Sequence, residues 1–164
     1  MGLFDAAKRF TGGKNLADVQ ITTIERAEPA EAFFPLNDSV LKGKMHVTAK
    51  EGCEVLATKY ELFVRNGTKE QSVAKGMDPD PHTSYSDDFP KFPVKLAAGE
   101  SFDMGFIVSN VDVRRALAQA GMINSEKAVG NPDVKFIVRC IADVKGSPFD
   151  PSAEVAVRLT PANI

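Results

Sequence analysis

Residues 134–146 constrain this chain more than any other stretch. Val134, Phe136, Val138, Cys140, Ala142 and Val144 alternate with Lys135, Ile137, Arg139, Ile141, Asp143 and Lys145. Successive side chains of a strand point to opposite faces, so this period of two gives one wholly apolar face and one largely charged face. A sheet needs such a strand near its centre, with a core against the apolar side. Gly146-Ser147-Pro148-Phe149-Asp150-Pro151 then reads as a turn into a closing strand over residues 154–159. The long strand is therefore the penultimate one. Ile137 and Ile141 stand among the charges of its second face, which predicts that part of that face is covered, by a helix or by another subunit.

The rest of the chain supplies partners of the same kind. Residues 18–27 carry Val19, Ile21 and Thr23 on one face, and Met45, Val47 and Ala49 alternate with His46 and Thr48, leaving His46 outward. Glu51-Gly52 turns the chain into a longer strand over residues 53–64, an order that reads as an antiparallel hairpin. Asn66-Gly67 ends that strand with a strong turn signal. Residues 68–91 become polar and proline-punctuated, which predicts a long surface loop with a short strand over 70–74. Phe102, Met104, Phe106 and Val108 alternate with Ser101, Asp103, Gly105 and Ile107 in a further half-buried strand. Asp112 or Asn110 caps a short helix over residues 113–122, with Val113 and Leu117 on its buried stripe.

About seven or eight strands with no strand–helix–strand alternation favour an all-β fold with minor α: an antiparallel, immunoglobulin-like β-sandwich. At 164 residues the chain is long enough for one domain with a sizeable core. We read residues 15–164 as that domain and residues 1–14 as an amphipathic segment packed on it or extending from it. In this segment Leu3, Phe4, Ala7 and Phe10 follow helical spacing before Gly12-Gly13. They either cover an open end of the core or dip into a membrane surface, with Lys8, Arg9 and Lys14 facing anionic lipid.

Several landmarks resemble the arrestin-like sandwich, in particular the domains of the bacterial sporulation-control family. They are the amphipathic N-terminal segment, Gly43-Lys44-Met45-His46-Val47 followed by the strand over 55–65, Phe89-Pro90-Lys91-Phe92-Pro93-Val94-Lys95-Leu96 with Gly99, and residues 138–146 leading into Asp150 and the last strand. The resemblance implies a non-enzymatic adaptor or regulatory domain. Two departures stand beside it: those proteins carry two such domains where this chain has room for one, and the helix over 113–122 sits where a shorter connection is usual.

Motifs that would mark a chemistry are missing. Neither His46 nor His82 has a nucleophile or carboxylate at motif spacing, and Gly12-Gly13-Lys14 is too short for a phosphate loop. Cys53 and Cys140 are too few for a disulfide framework and fall on apolar-facing positions, where cysteine packs as a small hydrophobe. Twenty Lys and Arg against 22 Asp and Glu give a net charge of −2, and Trp is absent, so neither a basic footprint nor a stacking platform for nucleic acid is expected. No apolar run approaches membrane-spanning length, and the N-terminus lacks a secretory pattern, which places the protein in the cytoplasm.

The expectation is thus a cytoplasmic module, with no enzyme activity and no cofactor, that binds a partner protein through a sheet edge or its irregular loops. The Pro-bounded Phe33-Phe34 pair marks one such edge. An exposed edge would equally allow self-association. Asp78, Asp80, His82, Asp87 and Asp88 form the alternative, an acidic loop that binds a small molecule or offers oxygen ligands to a cation. Its prolines, Pro79 and Pro81, impose an extended backbone in place of the Gly-centred turn of a calcium loop, and a solvated acidic loop accounts for the same residues.

Overall fold

A computed structural model describes residues 15–122 and 124–161. The segment holding Leu3, Phe4 and Phe10 lies outside these described residues. The strands are β1 (Ala17–Ile24), β2 (Phe33–Pro35), β3 (Leu41–Ala49), β4 (Cys53–Asn66), β5 (Lys69–Asp78), β6 (Val94–Leu96), β7 (Ser101–Val108), β8 (Val134–Val144) and β9 (Ser152–Thr160). One helix, α1 (Val113–Gln119), and a 3₁₀ turn (Ser125–Lys127) lie between β7 and β8. The fold is all-β with minor α. A three-stranded sheet, β1-β3-β7, faces a larger sheet, β2-β9-β8-β4-β5, in which β6 also pairs with β4.

The long alternating stretch is β8, and it sits inside the larger sheet between β4 and β9. Phe136, Val138, Cys140 and Ala142 are fully buried, as are Tyr60 and Val64 of neighbouring β4 and Met45, Val47 and Phe106 of the facing sheet. Close approach of backbone to ring is built in at Gly43, where an added Cβ would lie 2.4 Å from the Phe106 ring. Only glycine fits there. Asp112 caps α1 through Oδ1, which accepts a hydrogen bond from the Arg115 backbone N–H at 3.0 Å. Val113, Ala116 and Leu117 bury the inner face of α1 beside β5 and β4.

Four sequence expectations change. Strands β3 and β4 form no hairpin: β3 pairs with β1 and β7, so the turn at 50–52 carries the chain from one sheet to the other. The first part of the polar stretch after Asn66-Gly67 is the ten-residue strand β5, a hairpin partner of β4, and the irregular loop begins only at Pro79. That strand lies at the sheet margin with a largely exposed or half-buried pattern, which hides its alternation from hydrophobicity. The sandwich is not wholly antiparallel either, because β2 runs parallel to β9.

The fourth change concerns the second face of β8. Ile137 is only 3% exposed and its cross-strand neighbour Phe63 6%, yet α1 packs beside β5 and β4 and does not cover them. Arginines do so instead. The guanidiniums of Arg139 and Arg65 lie 4.8 and 5.4 Å from the centre of the Phe63 ring. Arg139 is held by Glu61 at 3.0 Å and by Glu154, and Arg65 by Glu70 at 2.8 Å. Long cationic side chains thus roof apolar surface while their charged ends reach carboxylates and solvent.

Candidate functional site

The Phe33-Phe34 pair splits between core and surface. Strand β2 pairs with β9 in the register Phe33↔Arg158, Phe34↔Leu159 and Pro35↔Thr160. Phe34 turns inward, fully buried, with its ring centre 5.2 Å from that of Phe136. It is core, not contact surface. Alternation then turns Phe33 outward, where it is 51% exposed.

Beside Phe33 lies a groove of about 540 Å³, bounded by residues 128–132 before β8 and by residues 156–160 of β9. Its apolar lining includes Val129, Val134, Ala156 and Leu159. Lys135 and Arg158 are the charged residues in its lining, and both are cations. Among the described residues Lys135 makes no ion pair, while Arg158 Nη2 donates only to the Glu31 carbonyl, at 3.4 Å.

The open edge of β2 offers little to a passing backbone. Arg158 N–H donates to the Ala32 carbonyl and Leu36 N–H to the Thr160 carbonyl, so the alternate residues, Phe33 and Pro35, direct their backbone groups away from β9. Pro35 has no N–H to give. The edge is therefore blunted, and recognition at this place rests on side chains and the groove.

The acidic loop is organised around its own carboxylates. Asp78, at the end of β5, accepts from the Tyr60 hydroxyl at 2.8 Å and from the Tyr85 hydroxyl at 2.6 Å, one on each carboxylate oxygen. Tyr60 Oη also lies 2.6 Å from Thr58 Oγ1, the buried polar residue of the core. Burial, with Asp78 as a further contributor, pushes the Tyr60 hydroxyl far above the ordinary tyrosine range. Tyr85 is raised in the same way, by burial first and then by its bond to Asp78. Asp80 accepts from the His82 backbone N–H at 2.9 Å and from Thr83 Oγ1 at 3.1 Å, and the His82 bond leads in lowering its carboxyl below the ordinary value. His82 itself is exposed.

Aromatic rings extend the anchorage of this loop. Tyr85 stacks on Phe89 at 4.3 Å, and Phe92 meets Phe102 of β7 edge-on at 6.4 Å. Among the described residues no group of three or more His, Cys, Asp or Glu is placed to hold a metal ion. Asp87 and Asp88 are exposed.

One pairing was invisible in the sequence. His46 and Asp103 stand opposite each other on β3 and β7, with Nδ1 2.6 Å from Oδ1. They lie on the outer face of the small sheet, and Gln20 is the neighbour of His46 on the other side. No nucleophile stands directly beside His46 in the register. The thiol of Cys140 is buried in the core and pushed upward by that burial, as is Cys53 to a lesser degree of enclosure.

No protein-family model matches the chain, and no curated protein matches it. Among solved structures it is similar to a candidate late embryogenesis abundant (LEA) protein, at 13% identity over 98% of this chain and 82% of that one, with a TM-score of 0.48. It is also similar to an Arabidopsis thaliana protein (14% identity, 90% and 80% of the two chains, TM-score 0.40). A candidate ApaA protein from Bordetella pertussis is similar at 15% identity, over 87% of this chain and 93% of that one, with a TM-score of 0.36. Among the described residues no helix is long and apolar enough to cross a membrane.

Proposed function

We propose that this chain is a non-enzymatic, cytoplasmic protein-interaction module, the adaptor or regulatory role that its resemblance to sporulation-control proteins implied, and that the groove beside β2 is its contact surface. The observation that carries this reading is Phe33, a large aromatic residue left 51% exposed on the wall of a groove of about 540 Å³. Aromatic residues in such positions are the usual anchors of protein contacts, since they bury much area with few rotatable bonds. A non-enzymatic role is favoured because the His46–Asp103 pair lies on the outer face of the small sheet with Gln20 as the other cross-strand neighbour of His46, and the acidic loop spends Asp78 and Asp80 on its own tyrosines and backbone.

The test is affinity capture from the native lysate with three baits: the wild-type chain, Phe33→Ser and Ala156→Glu. Circular dichroism first establishes that all three are folded alike. The reading requires a protein retained by wild type and lost by both variants. Identical capture by all three baits would refute it.

A further inference from the structure

The groove also specifies the chemistry of what it holds. The chain as a whole carries a net charge of −2, yet both charged residues in the groove lining, Lys135 and Arg158, are positive. The nearest acids in sequence, Glu31 and Asp133, do not line it. This is unlike the neighbouring sheet surface, where Arg139 and Arg65 are already matched by Glu61, Glu154 and Glu70. Among the described residues, the positive charge at the groove therefore has no carboxylate partner.

The outer row of the larger sheet sets the spacing of a ligand. Phe33 pairs with Arg158, and Lys135 directly precedes Phe136, where the β8–β9 ladder begins opposite Val157. Phe33 and Arg158 thus sit side by side on neighbouring strands, about 4.8 Å apart, and Lys135 lines the same groove from β8. The next row toward the middle of the sheet is apolar, with Ala156, Ile137 and Phe63. Because Pro35 blunts the strand edge, main-chain pairing contributes little here. Side chains must carry the recognition.

Resting on the binding reading above, we infer that the groove takes an acidic, apolar peptide segment of a partner protein. One large apolar side chain of the segment lies against Phe33 and Ala156, and an adjacent carboxylate meets Lys135 and Arg158. Charge-assisted contacts of this kind favour encounter with acidic partners and select against basic ones.

Fluorescence anisotropy with the full chain tests this. The probes are three labelled peptides: leucine and phenylalanine between glutamates, the same pair between lysines, and a version of the first with serine in place of both apolar residues. The acidic apolar peptide is expected to bind at least about tenfold more tightly than either other. The double variant Lys135→Glu/Arg158→Glu should turn the preference toward the basic peptide, and Phe33→Ser should weaken the acidic apolar peptide about tenfold.

The failures separate. Equal binding of acidic and basic apolar peptides, lost together in Phe33→Ser, overturns the charge inference and leaves the groove as a contact surface. Binding of the acidic peptide that survives both Phe33→Ser and the charge reversal overturns the groove reading as well. Equal binding of the serine version reduces the contact to charge alone and overturns the inference, as does the absence of binding by all three peptides at millimolar concentration.

Discussion

Replacing Tyr60 by Phe removes one oxygen and leaves the ring. Tyr60 is 1% exposed, and its ring stacks on that of Phe106 at 4.7 Å, a contact that phenylalanine keeps. What goes is the hydroxyl between Thr58 Oγ1 (2.6 Å) and Asp78 Oδ2 (2.8 Å). A net hydrogen bond is worth about 1 kcal/mol, and one to a charged group about 1.5–3 kcal/mol. Thr58 then retains only the Met104 sulfur, a weak acceptor at 3.6 Å, and an under-satisfied buried hydroxyl costs about 1–3 kcal/mol. Half-buried Asp78 keeps its bond from Tyr85 and regains some solvent, which offsets part of the loss. The expected destabilisation is about 2–4 kcal/mol, and at about 2–4 °C per kcal/mol for a chain of this size the melting temperature falls by about 5–15 °C.

Urea unfolding followed by far-ultraviolet circular dichroism measures this, with Thr58→Val and the double variant completing a cycle. Thr58→Val should cost much less in the Tyr60→Phe background than in wild type, since it then removes a hydroxyl that is already under-satisfied. A loss below about 1 kcal/mol for Tyr60→Phe, or additive single effects, would show that the Thr58–Tyr60–Asp78 chain does not couple the loop to the core.

The same hydroxyl gives a pH signature. Tyr60 holds its proton in the folded state far beyond the value near 10 at which an unfolded tyrosine releases it. Its contribution is therefore fully present below about pH 10 and is lost as pH rises, at about 1.4 kcal/mol per unit, because the unfolded chain then binds fewer protons. Cys140, also raised by burial, starts the same trend near pH 9. In a Cys53→Ala/Cys140→Ala background the decline should begin about one unit later, and adding Tyr60→Phe should flatten it further; Tyr85, raised in the same direction, leaves a residual slope.

Further substitutions test the packing and the cap of α1. Gly43→Ala drives a methyl group into the Phe106 ring, and chemical denaturation should show a loss of about 1–3 kcal/mol. Phe34→Ala should cost about 3–5 kcal/mol and Phe33→Ala less than about 1, since only the former ring is buried; equal costs would overturn the assignment of the two faces of β2. Asp112→Ala removes the cap of α1 and should cost about 1 kcal/mol by thermal melting, with Asp112→Asn restoring most of it.

Much of the fold was legible because burial follows a local rule. Alternation in residues 134–144 marks β8 and its inward residues, Asn66-Gly67 marks the turn that ends β4, and Asp112 marks the start of α1. Each signal is confined to a few neighbouring residues, so no distant partner is needed to read it. The exposed strand β5 escaped for the converse reason: an edge strand buries too little for hydrophobicity to report its period.

The candidate site belongs to the other category. Phe33, residues 128–135 and residues 156–160 meet because the tiny strand β2 runs parallel to β9, a pairing that no local pattern encodes. Likewise, His46 and Asp103 face each other only through the β3–β7 register, and Asp78 meets Tyr60 and Tyr85 only once β5 has paired with β4. By itself the sequence determined most of the half-buried strands, turns and core positions, since side-chain alternation and turn chemistry act over a few bonds. Tertiary structure alone decided which strands became neighbours, which of the two phenylalanines reached the surface, and which charges gathered at the groove, because each of these depends on contacts between residues far apart in the chain.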